Sequence, residues 1–174
     1  TDDGAGRQVI DLIALSVTQG FCIQGDTEFD QMGSSVSSAG DINGDGLDDM
    51  IVGAPLGNSY DGQAYVVFGS SFGFGTVVTT DGFDRQVIYL NSLSLTQGFI
   101  IKGDAADGWA GTGCSVSAAG DVNGDGFDDV IVGADGGDDG GRVAGEAYVL
   151  FGSASGFGTD DGNGRQVIDF NSLG

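Results

Sequence analysis

The chain has 174 residues, 26 of them acidic and five basic, with no histidine, for a formal charge of −21. A surface this negative repels nucleic acid and anionic membranes and attracts cations. With no histidine and Lys102 as the one lysine, most general-base and nucleophile arrangements are unavailable.

About 40 % apolar content argues against disorder, despite 35 glycines. The longest apolar runs, such as "AYVLF" and "MIV", fall far short of the roughly 20 residues needed to span a bilayer. No signal peptide is visible at Thr1, which reads as a processed chain or an excerpt of a longer one.

In chain order, "RQVIDL" at 7–12 reads as a short connector strand. "GFCIQG", "SSVSSA", "DMIVGA" and "QAYVVFG" follow, each rich in β-branched or aromatic residues and bounded by Gly, Asp or Asn. These are strand signals. No segment sustains a helical period, and glycine recurs too often for one.

The same elements then return. "RQVIYL" at 85–90 and "RQVIDF" at 165–170 repeat the connector, and "LSLTQGFIIKGD" at 93–104 repeats "LSVTQGFCIQGD" at 15–26. "CSVSAAGD" at 114–121 repeats "SSVSSAGD" at 34–41, and "AYVLFGSASGFG" at 147–158 repeats "AYVVFGSSFGFG" at 64–75. The register shifts grow from 78 to 80 to 83 residues, so small insertions lie between the blocks, where surface loops are expected.

Each repeat thus predicts four short antiparallel strands, with an acidic loop joining the second to the third. One such sheet cannot bury both its faces, so propeller-type blades or some other stack of sheets is expected. The expected organisation is all-β: a lead-in at 1–17, a first blade at 18–75, a connector at 76–95, a second blade at 96–158, and a connector or start of another repeat at 159–174. Residues 1–12 and 159–170 differ at two positions, so the chain ends in the phase in which it begins. Equivalent ends suit self-association or further repeats, as a ring or as a filament.

The acidic loops are "GDINGDGLDD" at 40–49 and "GDVNGDGFDD" at 120–129. They set oxygen-bearing side chains at alternate positions around glycines, an arrangement that can converge on a hard cation. Calcium takes six to eight oxygen ligands. The plain alternative is a solvated acidic turn, and two copies in one context favour the metal.

An EF-hand needs a Glu at position 12 and flanking helices, but position 12 is Val52 or Val132, inside a strand. A dockerin loop fails in the same way. A nine-position loop remains, with side chains from positions 1, 3, 5 and 9 and a carbonyl from position 7. Asp48 and Asp128 are expected to point away, into solvent or behind the ligands.

The stretch from "SSVSSAGDINGDGLDD" to "AYVVFGS" resembles an FG-GAP repeat, the blade unit of integrin-α-type β-propellers and of many bacterial secreted proteins. Gly53-Ala54-Pro55 supplies the Gly-Ala-Pro, but the second repeat reads Gly133-Ala134-Asp135. Met32-Gly33 and Thr112-Gly113 stand where Phe-Gly is expected. The resemblance covers roughly 18–75 and 96–158, and implies one calcium ion per repeat. The implied ligands are Asp41, Asn43, Asp45, the Leu47 carbonyl and Asp49, and then Asp121, Asn123, Asp125, the Phe127 carbonyl and Asp129. Gly46 and Gly126 would permit the turns.

Three functions compete. The leading one is a non-enzymatic, calcium-stabilised structural or adhesive module of an extracellular or cell-surface protein. A carbohydrate- or protein-recognition propeller is the second, with Trp109 either facing a sugar or packing on a blade. An accessory module of a secreted hydrolase is the third. "DGGDDGG" at 135–141 reads as a solvated loop, with a weaker cation site as the alternative. Cys22 and Cys114 are not repeat-equivalent; they read as small buried hydrophobes, with a disulfide second.

Overall fold

Short β-branched runs cut by glycine and aspartate give short strands. The computed structural model describes residues 5, 10–80, 82–104 and 110–172. Among them the strands are β1 (Phe21–Gln24), β2 (Ser35–Gly40), β3 (Asp49–Ala54), β4 (Gln63–Val67), β5 (Thr76–Thr80) and β6 (Phe83–Tyr89). They continue as β7 (Gly98–Lys102), β8 (Thr112–Gly120), β9 (Asp129–Ala134), β10 (Glu146–Leu150), β11 (Thr159–Asp160) and β12 (Gln166–Asp169). Single 3-10 turns follow β6 and β12. No helix among the described residues is long and apolar enough to cross a membrane.

The chain divides into two units. The first comprises Thr1–Gln24 and Ser70–Leu90. It holds a three-stranded sheet of order β1-β6-β5, in which β1 runs parallel to β6 and β5 antiparallel to it. Phe21 stacks on Phe74 with ring centroids 4.0 Å apart.

The second unit comprises Gly25–Gly69 and Asn91–Gly174. It holds a six-stranded sheet of order β11-β12-β7-β4-β3-β2 and a three-stranded sheet of order β10-β9-β8. One buried cluster joins Ile51, Ala64, Val66, Phe99 and Ile101 of the larger sheet to Val130 and Val132 of β9. Each such fully buried side chain contributes about 1.5–3 kcal/mol. Phe157 stacks on Phe99 at 4.2 Å and completes one end of the cluster.

Strand pairing departs from expectation at one point with wide consequences. "GFCIQG" and "GFIIKG" were expected to open the sheets of their own repeats. Instead β7 pairs antiparallel with β4 of the preceding repeat, Gln63 opposite Lys102 and Val67 opposite Gly98, while β1 has β6 as its neighbour. The physical reason is that β7 is apolar on both faces, with Phe99, Ile100 and Ile101 at most 1 % exposed. Such a strand belongs inside a sheet, and β4 and β12 flank it.

The antiparallel set β2-β3-β4-β7 therefore mixes two repeats, and the described sheets have six, three and three strands rather than four and four. Parallel pairs, β1 with β6 and β7 with β12, were not expected at all. They arise because the connectors contain hairpins, β5–β6 and β11–β12.

The cysteines also differ from expectation. Both thiols are free, Cys22 is exposed on β1, and Cys114 is half-buried. Cys22 points to the outward side of a short strand whose pattern alternates, so its apolar character is not used in a core. Trp109 and most of residues 1–9 lie outside the described residues.

Candidate metal centre

Each acidic loop joins the first two strands of an antiparallel hairpin, β2 to β3 and β8 to β9. Gly44 and Gly46 adopt φ of +76° and +87°, and Gly124 and Gly126 of +76° and +95°. These are left-handed conformations that L side chains resist. They curl the chain so that the side chains at positions 1 and 3 reach main-chain N–H groups further along the loop.

In the first loop the Asp41 carboxylate accepts the N–H groups of Asp45 at 3.0 Å and Gly46 at 2.9 Å. Asn43 Oδ1 accepts the Asp45 N–H at 2.8 Å, and its amide donates to Asp45 Oδ2 at 3.2 Å. Asp45 Oδ1 accepts the Leu47 N–H at 2.9 Å.

The second loop repeats this pattern. Asp121 accepts from Asp125 and Gly126, both at 3.0 Å, and also from Gly124 at 2.7 Å. Asn123 accepts the Asp125 N–H at 2.9 Å, and Asp125 accepts the Phe127 N–H at 3.0 Å.

Position 9 behaves differently from the other three. Asp49 is 1 % exposed; its carboxylate accepts the N–H of Ile42 at 3.1 Å and of Gly69 at 2.7 Å. Asp129, fully buried, accepts from Val122 and Gly152, both at 2.9 Å. These carboxylates tie the start of the loop to the chain that leaves β4 or β10. Burial pushes Asp49 up to about 6, opposed by the Gly69 and Ile42 N–H groups and reinforced by the charges of Asp45 and Asp41.

The expected donor set is all oxygen: three carboxylates, one amide and, at position 7, a main-chain carbonyl. Such a set would fit a hard cation such as calcium and no soft metal. Among the described residues, however, no three acidic, histidine or cysteine side chains stand together as a metal cluster. The carboxylates are spread over main-chain N–H donors, the arrangement that relieves their mutual repulsion.

Asp48 and Asp128, expected to behave alike, do not. Asp48 is exposed. Asp128 Oδ2 accepts the Asp41 N–H at 2.9 Å, and the Asp128 N–H donates to the Asp41 carbonyl at 3.3 Å. The Phe127 ring lies over Gly44, where an added Cβ would sit 2.4 Å from its edge. The second loop thus clasps the first. No local signal distinguishes Asp128 from Asp48, because the motif around them is the same. In "DGGDDGG", Asp139 is exposed and donates its N–H to Glu146 Oε1 at 2.8 Å.

The FG-GAP repeat family model matches residues 32–67 and 115–150, which enclose both loops. The chain is 36 % identical over 126 residues to integrin alpha pat-2 of Caenorhabditis elegans, covering 71 % of this chain and 9 % of that protein. It is 34 % identical over 129 residues to integrin alpha-PS5 of Drosophila melanogaster, covering 72 % and 11 %. To human integrin alpha-11 it is 33 % identical over 104 residues, covering 60 % and 7 %. The chain spans about a tenth of the length of these curated relatives. With both repeats matched at the spacing of its internal duplication, the chain is an FG-GAP repeat protein, similar over most of its length to integrin α chains.

Proposed function

We propose that the chain is a calcium-stabilised, non-enzymatic module of an extracellular or cell-surface protein, serving a structural or adhesive role within a larger propeller, array or fibre. The observation that carries this reading is the duplicated loop. Two segments 80 residues apart close on the same side chains with the same hydrogen-bond pattern. The likeness to chains named integrin α supports the adhesion-type, cell-surface setting.

Asp41, Asn43, Asp45, Asp49 and the Leu47 carbonyl would hold one ion. Asp121, Asn123, Asp125, Asp129 and the Phe127 carbonyl would hold the other. Bound calcium would draw these carboxylates together and supply the positive charge that offsets their repulsion. A formal charge of −21 draws cations to the surface from a distance.

Thermal unfolding in calcium and in chelator tests the reading. Extracellular modules reach dissociation constants near 10⁻⁴ M. At about 1 mM calcium, mass action then adds roughly 1.4 kcal/mol per site, or about 3 for two. A melting temperature indifferent to chelator would sink the proposal. The Asp45→Ala/Asp125→Ala protein should lose most of the response, and undiminished calcium binding there would place the ions elsewhere.

A further inference from the structure

The last carboxylates of the two acidic loops are joined by a short chain of hydrogen bonds. The Asp49 carboxylate accepts the Ile42 N–H at 3.1 Å, and the Ile42 carbonyl accepts the Ser153 N–H at 2.9 Å. Next to Ser153 is Gly152, whose N–H donates to Asp129 Oδ1 at 2.9 Å. Ile42 and Asp129 are fully buried and Asp49 is 1 % exposed, so water competes little for these bonds.

Asp128 makes a second link. Its carboxylate accepts the Asp41 N–H at 2.9 Å, and its own N–H donates to the Asp41 carbonyl at 3.3 Å. Asp41 is position 1 of the first loop. The chain neighbours of Asp128 are Phe127 and Asp129, positions 7 and 9 of the second loop. One residue therefore stands between two expected ligands of one ion and grips the main chain of an expected ligand of the other. Both loops belong to the second unit.

We propose that the two calcium sites are coupled through Asp128, so that filling one tightens the other. An ion held by the Phe127 carbonyl and Asp129 would restrict the peptides on either side of Asp128 and so fix its grip on Asp41. The first loop is then already ordered at position 1, and its own ion costs less conformational freedom. Repulsion between two divalent ions opposes this, but salt screens it at exposed loops, whereas the hydrogen bonds act at contact. By linkage the factor is the same whichever site fills first. Such couplings run from about 5- to 150-fold, and a bridge of one side chain belongs at the low end, about 5- to 10-fold. The inference rests on the calcium reading above and adds the dependence of each site on the other.

Calorimetric titration of the 174-residue chain with calcium tests it. Asp125→Ala leaves the first site to be measured alone, and Asp45→Ala leaves the second. The product of the two association constants of the wild type should exceed the product of these single-site constants about 5- to 10-fold. With Asp128→Ala added to all three proteins, that factor should fall below about 2. Asp128→Asn keeps an acceptor for the Asp41 N–H and should preserve the factor. Loss of the Asp128 charge weakens both sites alike in the two variants, so only the hydrogen bond separates them. A factor of about 1 or less in the wild type, or equal factors in the Asp128→Ala and Asp128→Asn chains, would overturn the coupling and leave the calcium reading standing. A wild-type chain that takes up no calcium would overturn both.

Discussion

Ile42 and Val122 occupy the same position in the two acidic loops, yet Ile42 is fully buried and Val122 is 57 % exposed. The internal hydrogen bonds of the loops are nearly the same, so the difference comes from outside them. The first loop is covered by Phe127 and Asp128 of the second, and by the segment after β10, whose Ser153 N–H donates to the Ile42 carbonyl at 2.9 Å. The corresponding positions of the second loop face open space at Gly120 and Gly124. A repeated motif can thus fix its own geometry locally while its stability is set by the next repeat along.

Paired glycine substitutions should break the equivalence most visibly. Gly40 and Gly120 have nearly the same φ, +66° and +70°, so alanine carries the same backbone strain at both, about 1 kcal/mol. At Gly40 the new Cβ would also lie 2.2 Å from Asp128 Oδ2 and 2.6 Å from its Cβ, and at Gly120 it meets nothing. The clash adds about 1–3 kcal/mol. Denaturant unfolding should therefore find Gly40→Ala losing about 3 kcal/mol and Gly120→Ala about 1. Equal losses would mean that the second loop does not rest on the first.

A smaller effect is expected at the paired aspartates. Asp128→Ala leaves the half-buried Asp41 N–H without its carboxylate partner, and charged hydrogen bonds of this kind contribute about 1.5–3 kcal/mol. Asp48 is exposed, so Asp48→Ala should stay within about 0.5 kcal/mol. Unfolding midpoints in chelator would show the difference, free of any metal contribution. Similar losses for the two variants would remove Asp128 as the clasp.

How much of this was legible in the sequence differs between the loops and the sheets. The turn at Asp41–Asp49 could be read from spacing, because alternating acceptors and left-handed glycines act over a few residues. The positions of β1–β4 and β7–β10 were legible for the same reason, whereas β5 and β11, inside the connectors, were not. Strand partners were not: "GFIIK" declares a strand buried on both faces, but nothing within it says that β4 rather than β2 lies alongside. The contrast between Ile100 in β7 and Cys22 in β1 is the one trace of their unequal burial. The clasp was invisible because Asp48 and Asp128 share one motif and differ in what the fold brings near them.

The smallest expected effect tests the buried carboxylate of the first loop. Unfolded, Asp49 titrates near 3.8; folded, it is pushed up to about 6. Between those values the folded chain keeps a proton that the unfolded chain has lost. Stability in chelator should therefore fall as pH rises through this window, and level off above about 6. The slope is set by the difference in bound protons, and from pH 5 to 7 the loss amounts to about 1 kcal/mol. Relief of charge repulsion at low pH has the same sign, so the wild type alone is not decisive. Asp49→Asn removes the titrating group while keeping an acceptor toward the Gly69 N–H, and its profile should be flatter by that amount. With calcium bound the sign reverses for this group, because protons compete with the cation for the carboxylate. Parallel profiles for the two proteins in chelator would show that the loop holds Asp49 ionised down to its ordinary range.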